Sequence, residues 1–297
     1  GYPAGAETDI YPIGFDAPSA QGLYEELQVT ARFLAQGYYG WRDGSLKQIV
    51  FKDKSVAQLA PHINAGTAAL QNLFAAFYPQ PEFEQALYGP SGFLALHGQM
   101  FGDPWARAVT LLDEKASAPD LVLPFLPGED WALTSGPHAN WQTGSPRGAI
   151  DFAAITGQTG CAVSRGWVTA SAPGLVTRSL RGVVAVDLDG DGNEGTGWVI
   201  VYLHLHHTDR VSAGTWVNTD DRLGHPSCEG GRATGAHLHL TFKYNGEWMP
   251  AEGRLPMVLS GWRVVAGESP YRGWLEREGQ VVTANVGAPR TSWIRRD

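Results

Sequence analysis

The sequence lacks several features that would assign it to common protein classes. Only 18% of its 297 residues are charged, the net charge is −8, and there is no run of Lys or Arg, which argues against a nucleic-acid-binding surface. No apolar stretch approaches the roughly 18 residues of a membrane-spanning helix. The sequence starts at Gly1 with neither Met nor an apolar signal region, a pattern typical of a processed secreted protein or of a trimmed chain.

Cysteine is also scarce, since only Cys161 and Cys228 are present and they lie far apart in the sequence. A structural zinc site of the Cys₂His₂ type normally contains a close Cys-x₂₋₄-Cys pair, which is missing here. We therefore predict a single disulfide between the two residues, formed in an oxidising compartment. Two free buried thiols are the alternative.

Turn-forming residues are abundant, with 37 Gly and 19 Pro, and 43% of the chain is hydrophobic. The length favours two domains, and the turn residues favour a β-rich part with a sizeable core. We predict an α+β protein, in which residues 1–120 form a helical domain of unknown role. Residues 121–297 form an antiparallel β-rich domain with a motif core at 131–245 and a C-terminal β extension.

Apolar spacing gives the elements of both parts. Helices are predicted at residues 20–36, with Ser19 as N-cap and Gly37 as the stop, and at 55–77, 82–87 and 93–100. Strands are predicted at 182–186, 197–203, 236–244 and 262–265. The first two strands flank Asp189-Gly190-Asp191-Gly192-Asn193, which predicts a hairpin.

Histidines dominate the residues that can carry chemistry. His237 and His239 form a His-x-His in a strand-like run. Residues two apart in a strand point to the same face, and their backbones lie about 6–7 Å apart. One ring can then bind a metal while the other faces the water beside it. With the distant His138 and Asp151, one of these rings would complete a three-ligand zinc site with an open position, as in catalytic zinc sites.

Four segments in order resemble the lysostaphin/β-lytic family of zinc metalloendopeptidases. The four segments are Gly136-Pro137-His138, Ala149-Ile150-Asp151-Phe152-Ala153, Tyr202-Leu203-His204-Leu205 and Thr234-Gly235-Ala236-His237-Leu238-His239. The resemblance implies one zinc per chain bound by His138, Asp151 and His239. It also implies that His204 and His237 act on the water and on the transition state.

One position departs from the lysostaphin pattern. Lysostaphin-like members place the first His four residues before the Asp, and that slot is Arg147 here. His138 lies further upstream, a spacing that is similar to the β-lytic subgroup, where a loop separates the two ligands. A broken site, with His138 simply in a turn after Gly-Pro, is the alternative.

The sequence contains no His-Glu-x-x-His motif, so a histidine would have to serve as the general base. Histidine suits this role, because its ordinary pKa of about 6.5 lies near neutral pH. His206 competes with His204 for the role, since the two would share a strand face. We favour His204 because it matches the Tyr-x-His-Leu segment, and we leave open whether His204 or His237 is the main base.

An acidic stretch in the predicted hairpin resembles the first half of a calcium loop. Asp187, Asp189, Asp191 and Asn193 alternate, and Gly192 stands at the sixth position. The Glu expected at the twelfth position is replaced by Trp198. A plain hairpin turn explains the same residues, so Ca²⁺ stays a possible second cofactor.

These observations predict a secreted zinc endopeptidase that hydrolyses the peptides of bacterial peptidoglycan, in cross-bridges or stems, with Gly-rich sequences as one candidate substrate. A catalytically silent relative that binds the cell wall or activates an amidase is the alternative. Such relatives typically lose ligands, whereas all five positions are filled here. The helical domain could also be a pro-segment or a regulatory cap.

Overall fold

A computed structural model describes residues 10–15, 18–107, 111–112 and 114–297. The chain divides into two compact units. The first comprises residues 1–109 and 142–145, and the second comprises residues 110–141 and 146–297. No helix in the described part of the chain is long and apolar enough to cross a membrane.

The first unit is mainly helical. Its elements are α1 Leu23–Arg42, β1 Gln48–Val50, β2 Val56–Gln58, α2 Ala65–Phe77, α3 Gln80–Tyr88 and α4 Phe93–Phe101, with short 3₁₀ helices at Pro18–Ala20 and Trp105–Arg107. The strands β1 and β2 form an antiparallel hairpin. A core of Ile49, Phe51, Ala68, Phe83 and Leu87 joins the hairpin to the helices.

Two predicted helix boundaries in this unit were wrong. Helix α1 begins after Gly22 rather than Ser19, and it continues through Gly37 to Arg42. Gly37 is buried, and a Cβ there would lie 2.5 Å from the Cα of Ala69. This glycine therefore permits close contact between α1 and α2 instead of ending the helix.

The helix predicted from residue 55 starts ten residues later than expected. Residues 56–58 form β2, and α2 begins at Ala65, where the Asn64 side chain accepts a hydrogen bond from the backbone N–H of Thr67. Asn is a strong N-cap residue, because its oxygen satisfies a backbone donor of the first turn. The cap and the hairpin pairing outweigh the apolar periodicity upstream of Pro61.

The second unit is built from antiparallel strands. Its strands are β3 Asp130–Ala139, β4 Arg147–Ala154, β5 Val168–Thr169, β6 Gly174–Leu180, β7 Val183–Asp187, β8 Trp198–Leu203, β9 Trp216–Val217, β10 Arg222–Gly224, β11 Leu238–Tyr244, β12 Glu247–Trp248, β13 Val258–Leu259, β14 Trp262–Ala266, β15 Gly273–Arg277, β16 Gln280–Thr283 and β17 Trp293–Arg295. The predicted hairpin of β7 and β8 is confirmed, as are the strands around 238–244 and 262–266.

A nine-stranded sheet carries most of these strands, in the order β17-β3-β4-β11-β8-β7-β6-β9, with β12 paired to β11. Strands β13 to β16 form a separate four-stranded sheet, and β5 pairs with β10. The α+β prediction, with a helical part followed by an antiparallel β-rich part, is confirmed.

The middle of the large sheet is buried on both faces. On β8, Ile200 and Tyr202 point into the main core, whereas Val199 and Val201 pack with Val183 of β7 on the opposite face. Successive residues of a strand point to opposite faces, so this double burial fixes the register of β4, β8 and β11. These three strands lead to the residues of the candidate site.

Candidate metal centre

Three adjacent strands bring His138, Asp151 and His239 together. Asp151 of β4 lies directly opposite His239 of β11. His138 of β3 lies opposite Ala149, two residues before Asp151 on the same strand. Since residues two apart share a face, all three side chains extend from one side of the sheet.

The potential ligand atoms of this cluster are close together. Nε2 of His138 lies 3.1 Å from Nδ1 of His239 and 3.4 Å from Oδ1 of Asp151. Nδ1 of His239 lies 3.3 Å from the same oxygen. One metal ion could thus be reached by two ring nitrogens and one carboxylate oxygen.

Hydrogen bonds on the far side of each ring set its tautomer. Nδ1 of His138 lies 3.0 Å from the carbonyl oxygen of Gly136, and Nε2 of His239 lies 2.9 Å from that of Asn140. A carbonyl only accepts, so each ring donates its N–H there and turns its lone pair to the cluster. Tyr271 stacks on the His138 ring, with centroids 4.5 Å apart. Such outer contacts orient metal-binding imidazoles.

The Asp151 carboxylate fits a cation site. Its Oδ1 is buried and has no hydrogen-bond partner with standard geometry among the described residues, although buried polar atoms are normally paired. Burial alone would raise its pKa, but the rings of His239, His138 and His237 hold the pKa well below its usual range. An ionised carboxylate with two neutral imidazoles is a typical donor set for catalytic zinc.

His204 and His237 form a second pair beside the cluster. Their ring centroids are 4.5 Å apart, and Nε2 of His237 lies 3.8 Å from Oδ1 of Asp151. Nδ1 of His204 donates to the carbonyl oxygen of Glu229, 2.7 Å away, and Nδ1 of His237 donates to that of Gly235, 2.8 Å away. The Nε2 atom of each ring is therefore the one available to a reacting molecule.

The pKa values of the buried rings favour neutral imidazole. Burial, more than the neighbouring His237, lowers the pKa of His204 to about 4. Burial likewise lowers the pKa of His138, although Asp151 opposes the change. At neutral pH His204 is unprotonated and can accept a proton, and His138 has a lone pair for a metal.

His204 has a left-handed backbone, with φ of 69°, directly after the end of β8 at Leu203. The expectation that His204 and His206 share a strand face was wrong, because the strand ends before either residue. His206 instead lies near Glu229, with Nε2 3.5 Å from Oε1, and its Nδ1 accepts from the backbone N–H of Thr208. Unusual backbone conformations of this kind often occur at functional sites.

Glu229 is a residue that sequence reasoning missed. Its carboxylate contacts His206, His207 and Arg210, with the shortest distance being 2.6 Å to Nδ1 of His207. Its carbonyl oxygen accepts from His204. His207 is exposed. The backbone carbonyl of His225 accepts from the backbone N–H of His206, at 2.8 Å, and the centroid of its ring lies 3.8 Å from that of Trp167. No motif in the sequence marked Glu229, because its contacts come from residues distant in the chain.

The predicted disulfide between Cys161 and Cys228 is confirmed, with Cα atoms 5.4 Å apart. Cys228 directly precedes Glu229, so the bridge anchors the backbone that accepts the His204 hydrogen bond. The backbone N–H of Glu229 also donates to the Ser227 hydroxyl, which in turn donates to the carbonyl of His204.

The residues of the possible calcium loop lie at the β7–β8 turn. One carboxylate oxygen from each of Asp187, Asp189 and Asp191 lies within 4.8 Å of the others. The Oδ1 atom of Asn193 accepts from the backbone N–H of Gly195. The three carboxylates form a cluster separate from the histidine site.

A strand-borne His-Asp-His cluster beside two further histidines is the arrangement of a metallopeptidase. The sequence profile described as Peptidase family M23 matches residues 145–250, and that described as LasA, N-terminal domain, matches residues 3–115. The M23 match includes Asp151, His204, His237 and His239, and it leaves out His138.

Curated relatives and a solved structure are similar to parts of this chain. Protease LasA of Pseudomonas aeruginosa is 29% identical over 279 residues, covering 87% of this chain and 60% of its own length. Beta-lytic metalloendopeptidase of Lysobacter enzymogenes is 30% identical over 172 residues, which cover 54% of this chain and 90% of that protein. The solved M23 metalloprotease pseudoalterin is 24% identical, with a TM-score of 0.46, over 57% of this chain and 96% of its own.

The chain belongs to peptidase family M23. It spans about 60% of the length of the LasA proteases that it matches.

Proposed function

We propose that the chain is a secreted zinc-dependent endopeptidase that hydrolyses peptide bonds of bacterial peptidoglycan. The observation that carries this proposal is the convergence of His138, Asp151 and His239 beside the two rings of His204 and His237. A set of three ligands that leaves a position open is typical of catalytic zinc, whereas structural sites are usually closed by four protein ligands.

We assign the three ligands to zinc because of their chemistry. Two imidazoles and one carboxylate suit zinc, and softer metals would favour cysteine. Bound zinc supplies a Lewis acid that activates water and polarises a carbonyl. The chain's own contribution is to hold both rings with the lone pair inward through the carbonyls of Gly136 and Asn140.

His204 and His237 carry the proton transfers in this proposal. Both rings donate through Nδ1 to backbone carbonyls, so each keeps an Nε2 lone pair facing the reacting atoms. One ring takes a proton from the attacking water and later returns it to the leaving amine. The other, when protonated, donates a hydrogen bond to the developing oxyanion.

Peptidoglycan peptides are the substrate class that the family resemblance favours, and Gly-rich segments are one candidate because they have no side chains to clash with the walls of a narrow cleft. Secretion agrees with the disulfide, since such bonds persist in oxidising compartments. The alternative, a catalytically silent wall-binding relative, is disfavoured because all five positions are filled and are brought together.

Digestion of purified peptidoglycan by the zinc-loaded chain tests this proposal. Mass spectrometry of the released muropeptides should show new amino and carboxyl ends at a peptide bond, and the same treatment with His204→Ala should release almost none. Cell-wall binding by the wild type without any new peptide ends would favour the silent relative and contradict the endopeptidase.

A further inference from the structure

Three acidic residues crowd one turn, well apart in sequence from the histidine site. Residues 188–197 connect β7 to β8, and Asp187, Asp189 and Asp191 each place a carboxylate oxygen within 4.8 Å of the other two. Like charges at such distances repel one another. Protons or a bound cation would relieve this repulsion.

Within the described residues, no positively charged side chain supplies this compensation. Among the residues that the structure describes, none of the three carboxylates forms an ion pair with Lys, Arg or His. The nearby Arg178 and Lys243 both bind Glu194, at 2.8 and 3.2 Å. The cations of this region are thus committed to the neighbouring glutamate.

Asp187 provides an independent sign of a missing ligand, because its side chain is fully buried at the end of β7. Its Oδ2 accepts from the backbone N–H of Gly192, at 2.9 Å, but its Oδ1 has no hydrogen-bond partner in the described part of the chain. A buried carboxylate oxygen without a partner is costly. Burial, with the charges of Asp189 and Asp191, raises the pKa of Asp187.

We propose that Asp187, Asp189 and Asp191 bind a calcium ion that closes the β7–β8 turn. Hard carboxylate oxygens suit Ca²⁺, whereas the nitrogen-rich histidine cluster suits zinc. The alternating spacing and the glycine at the sixth position match the first half of a calcium loop. Gly192 has a φ of 81°, which gives the sharp turn that this position needs.

The turn is already shaped around the carboxylates. A Cβ on Gly197 would collide with the carboxylate of Asp189, so this side chain lies against the backbone of the returning strand. The Asp191 carboxylate is oriented by the backbone N–H of Asn193 and the hydroxyl of Thr196, both at 2.7 Å. These contacts orient the acidic side chains before any ion arrives.

The loop lacks one strong ligand, and this limits its affinity for calcium. Trp198 stands where a calcium loop of this type has its bidentate glutamate. Water would have to complete the coordination, so we expect a dissociation constant of about 10⁻⁴–10⁻³ M, as in extracellular calcium modules. Such a site fills outside a cell and empties where calcium is scarce.

A calcium titration tests the proposal directly. The full chain is stripped on a chelating resin and re-saturated with zinc, so that the histidine site is filled before calcium is added. Calcium at ten times its dissociation constant should raise the Tm of the second unit by about 3–6 °C. Equilibrium dialysis with radioactive calcium should show one ion per chain.

Variants connect this response to the loop. Asp189→Asn changes an exposed side chain and should fold, and it should abolish the calcium-dependent rise in Tm. Without calcium it should be as stable as the wild type or more so, because one repelling charge is gone. The matched control is Asp209→Asn, which removes the same charge in another exposed turn and should keep the full response.

Three results would overturn the proposal. The first is a wild-type Tm that does not change up to about 10 mM calcium, ten times the upper end of the expected range. The second is an equal response in Asp189→Asn. The third is an equal rise with magnesium, because it would indicate general screening of the acidic turn. The readouts are binding and Tm, so the result is independent of whether the chain cleaves peptidoglycan.

Discussion

At the residue scale, His239 lies between the other two candidate ligands and a backbone carbonyl. Its Nδ1 faces Asp151 and His138, while its Nε2 is fixed by the carbonyl of Asn140. His239→Ala should therefore lose zinc, because two ligands bind this ion far more weakly than three. Elemental analysis of the purified variant checks this, with the exposed His62→Ala as control. Full zinc retention in His239→Ala would contradict the assignment of His239 as a ligand.

His204 and His237 differ from the ligands in what their loss should change. His204→Ala and His237→Ala should each keep zinc but lose at least about 100-fold in turnover, because general acid–base and oxyanion roles are each worth about 10²–10⁴-fold. Turnover on a peptidoglycan peptide, with zinc content measured in parallel, checks both variants. His206→Ala is the comparison, and a larger loss there than in His204→Ala would reverse the assignment.

The lowered pKa of His204 predicts that the stability of the folded chain depends on pH. Its pKa in the folded chain is about 4, against about 6.5 when unfolded. As pH falls below about 6.5, only the unfolded chain takes up this proton, so stability declines until about pH 4 and then levels off. The full effect is about 3 kcal/mol. His204→Asn suits the left-handed backbone, and it should unfold in urea with a shallower pH dependence than the wild type, both zinc-loaded.

At the element scale, the contact between β4 and its neighbours supports the site. A Cβ on Gly148 of β4 would meet both the carbonyl of Met249 and the side chain of Asn140, and the Asn140 carbonyl holds His239. Gly148→Ala should cost about 1–3 kcal/mol of stability through overpacking and should weaken zinc binding. Urea unfolding and zinc titration measure the two effects.

The matched control is Gly98→Ala in α4, where a Cβ would meet nothing within 4 Å. Alanine favours a helix over glycine by roughly 1 kcal/mol, so this variant should be unchanged or slightly more stable. Wild-type zinc affinity in Gly148→Ala would show that the Asn140 contact does not support the site.

Sequence predicted the elements best where one local signal dominated. The apolar run of β8 and the turn before it predicted the hairpin, and Glu82 to Leu87 predicted α3. It failed at Gly37, because the close packing against Ala69 involves a residue far along the chain. It also failed at residues 56–58, because pairing with β1 outweighs their apolar helical spacing.

The same limit applies to the site. Motif spacing was enough to single out His138, Asp151 and His239, which the structure brings together. Register irregularities between β3 and β4 are what align His138 with Asp151, and no sequence rule predicts them. The stacking of Tyr271 on His138 and the hydrogen bond from His204 to the Glu229 carbonyl could not be predicted from sequence either. Each contact joins segments that only the fold brings together.

At the scale of the whole molecule, the Cys161–Cys228 disulfide closes a loop that contains β5 to β10. A sequence separation of 67 corresponds to about 4 kcal/mol in the chain-entropy model of disulfide stabilisation. Cys161→Ser with Cys228→Ser should lower the free energy of unfolding by up to this amount. It should also reduce turnover, because Cys228 anchors the Glu229 backbone that orients His204.

Urea unfolding and peptide turnover of the double serine variant check this prediction. The wild type treated with a reducing agent under native conditions is the comparison, since it breaks the same bond without changing a residue. Equal stability of all three proteins would contradict the predicted contribution of the bridge.

The pairing of β17 with β3 joins segments that lie far apart in the sequence. Residues 293–295 form the sheet edge next to the strand that carries His138, and His138 must also meet His239, 101 residues later. At ribosomal speeds of about 5–20 residues per second, the stretch from His138 to β17 takes roughly 10–30 s to emerge. Antiparallel pairings between such distant segments then form slowly. The candidate ligands on β3 and β4 are therefore synthesised well before the strands that would complete their site can pair.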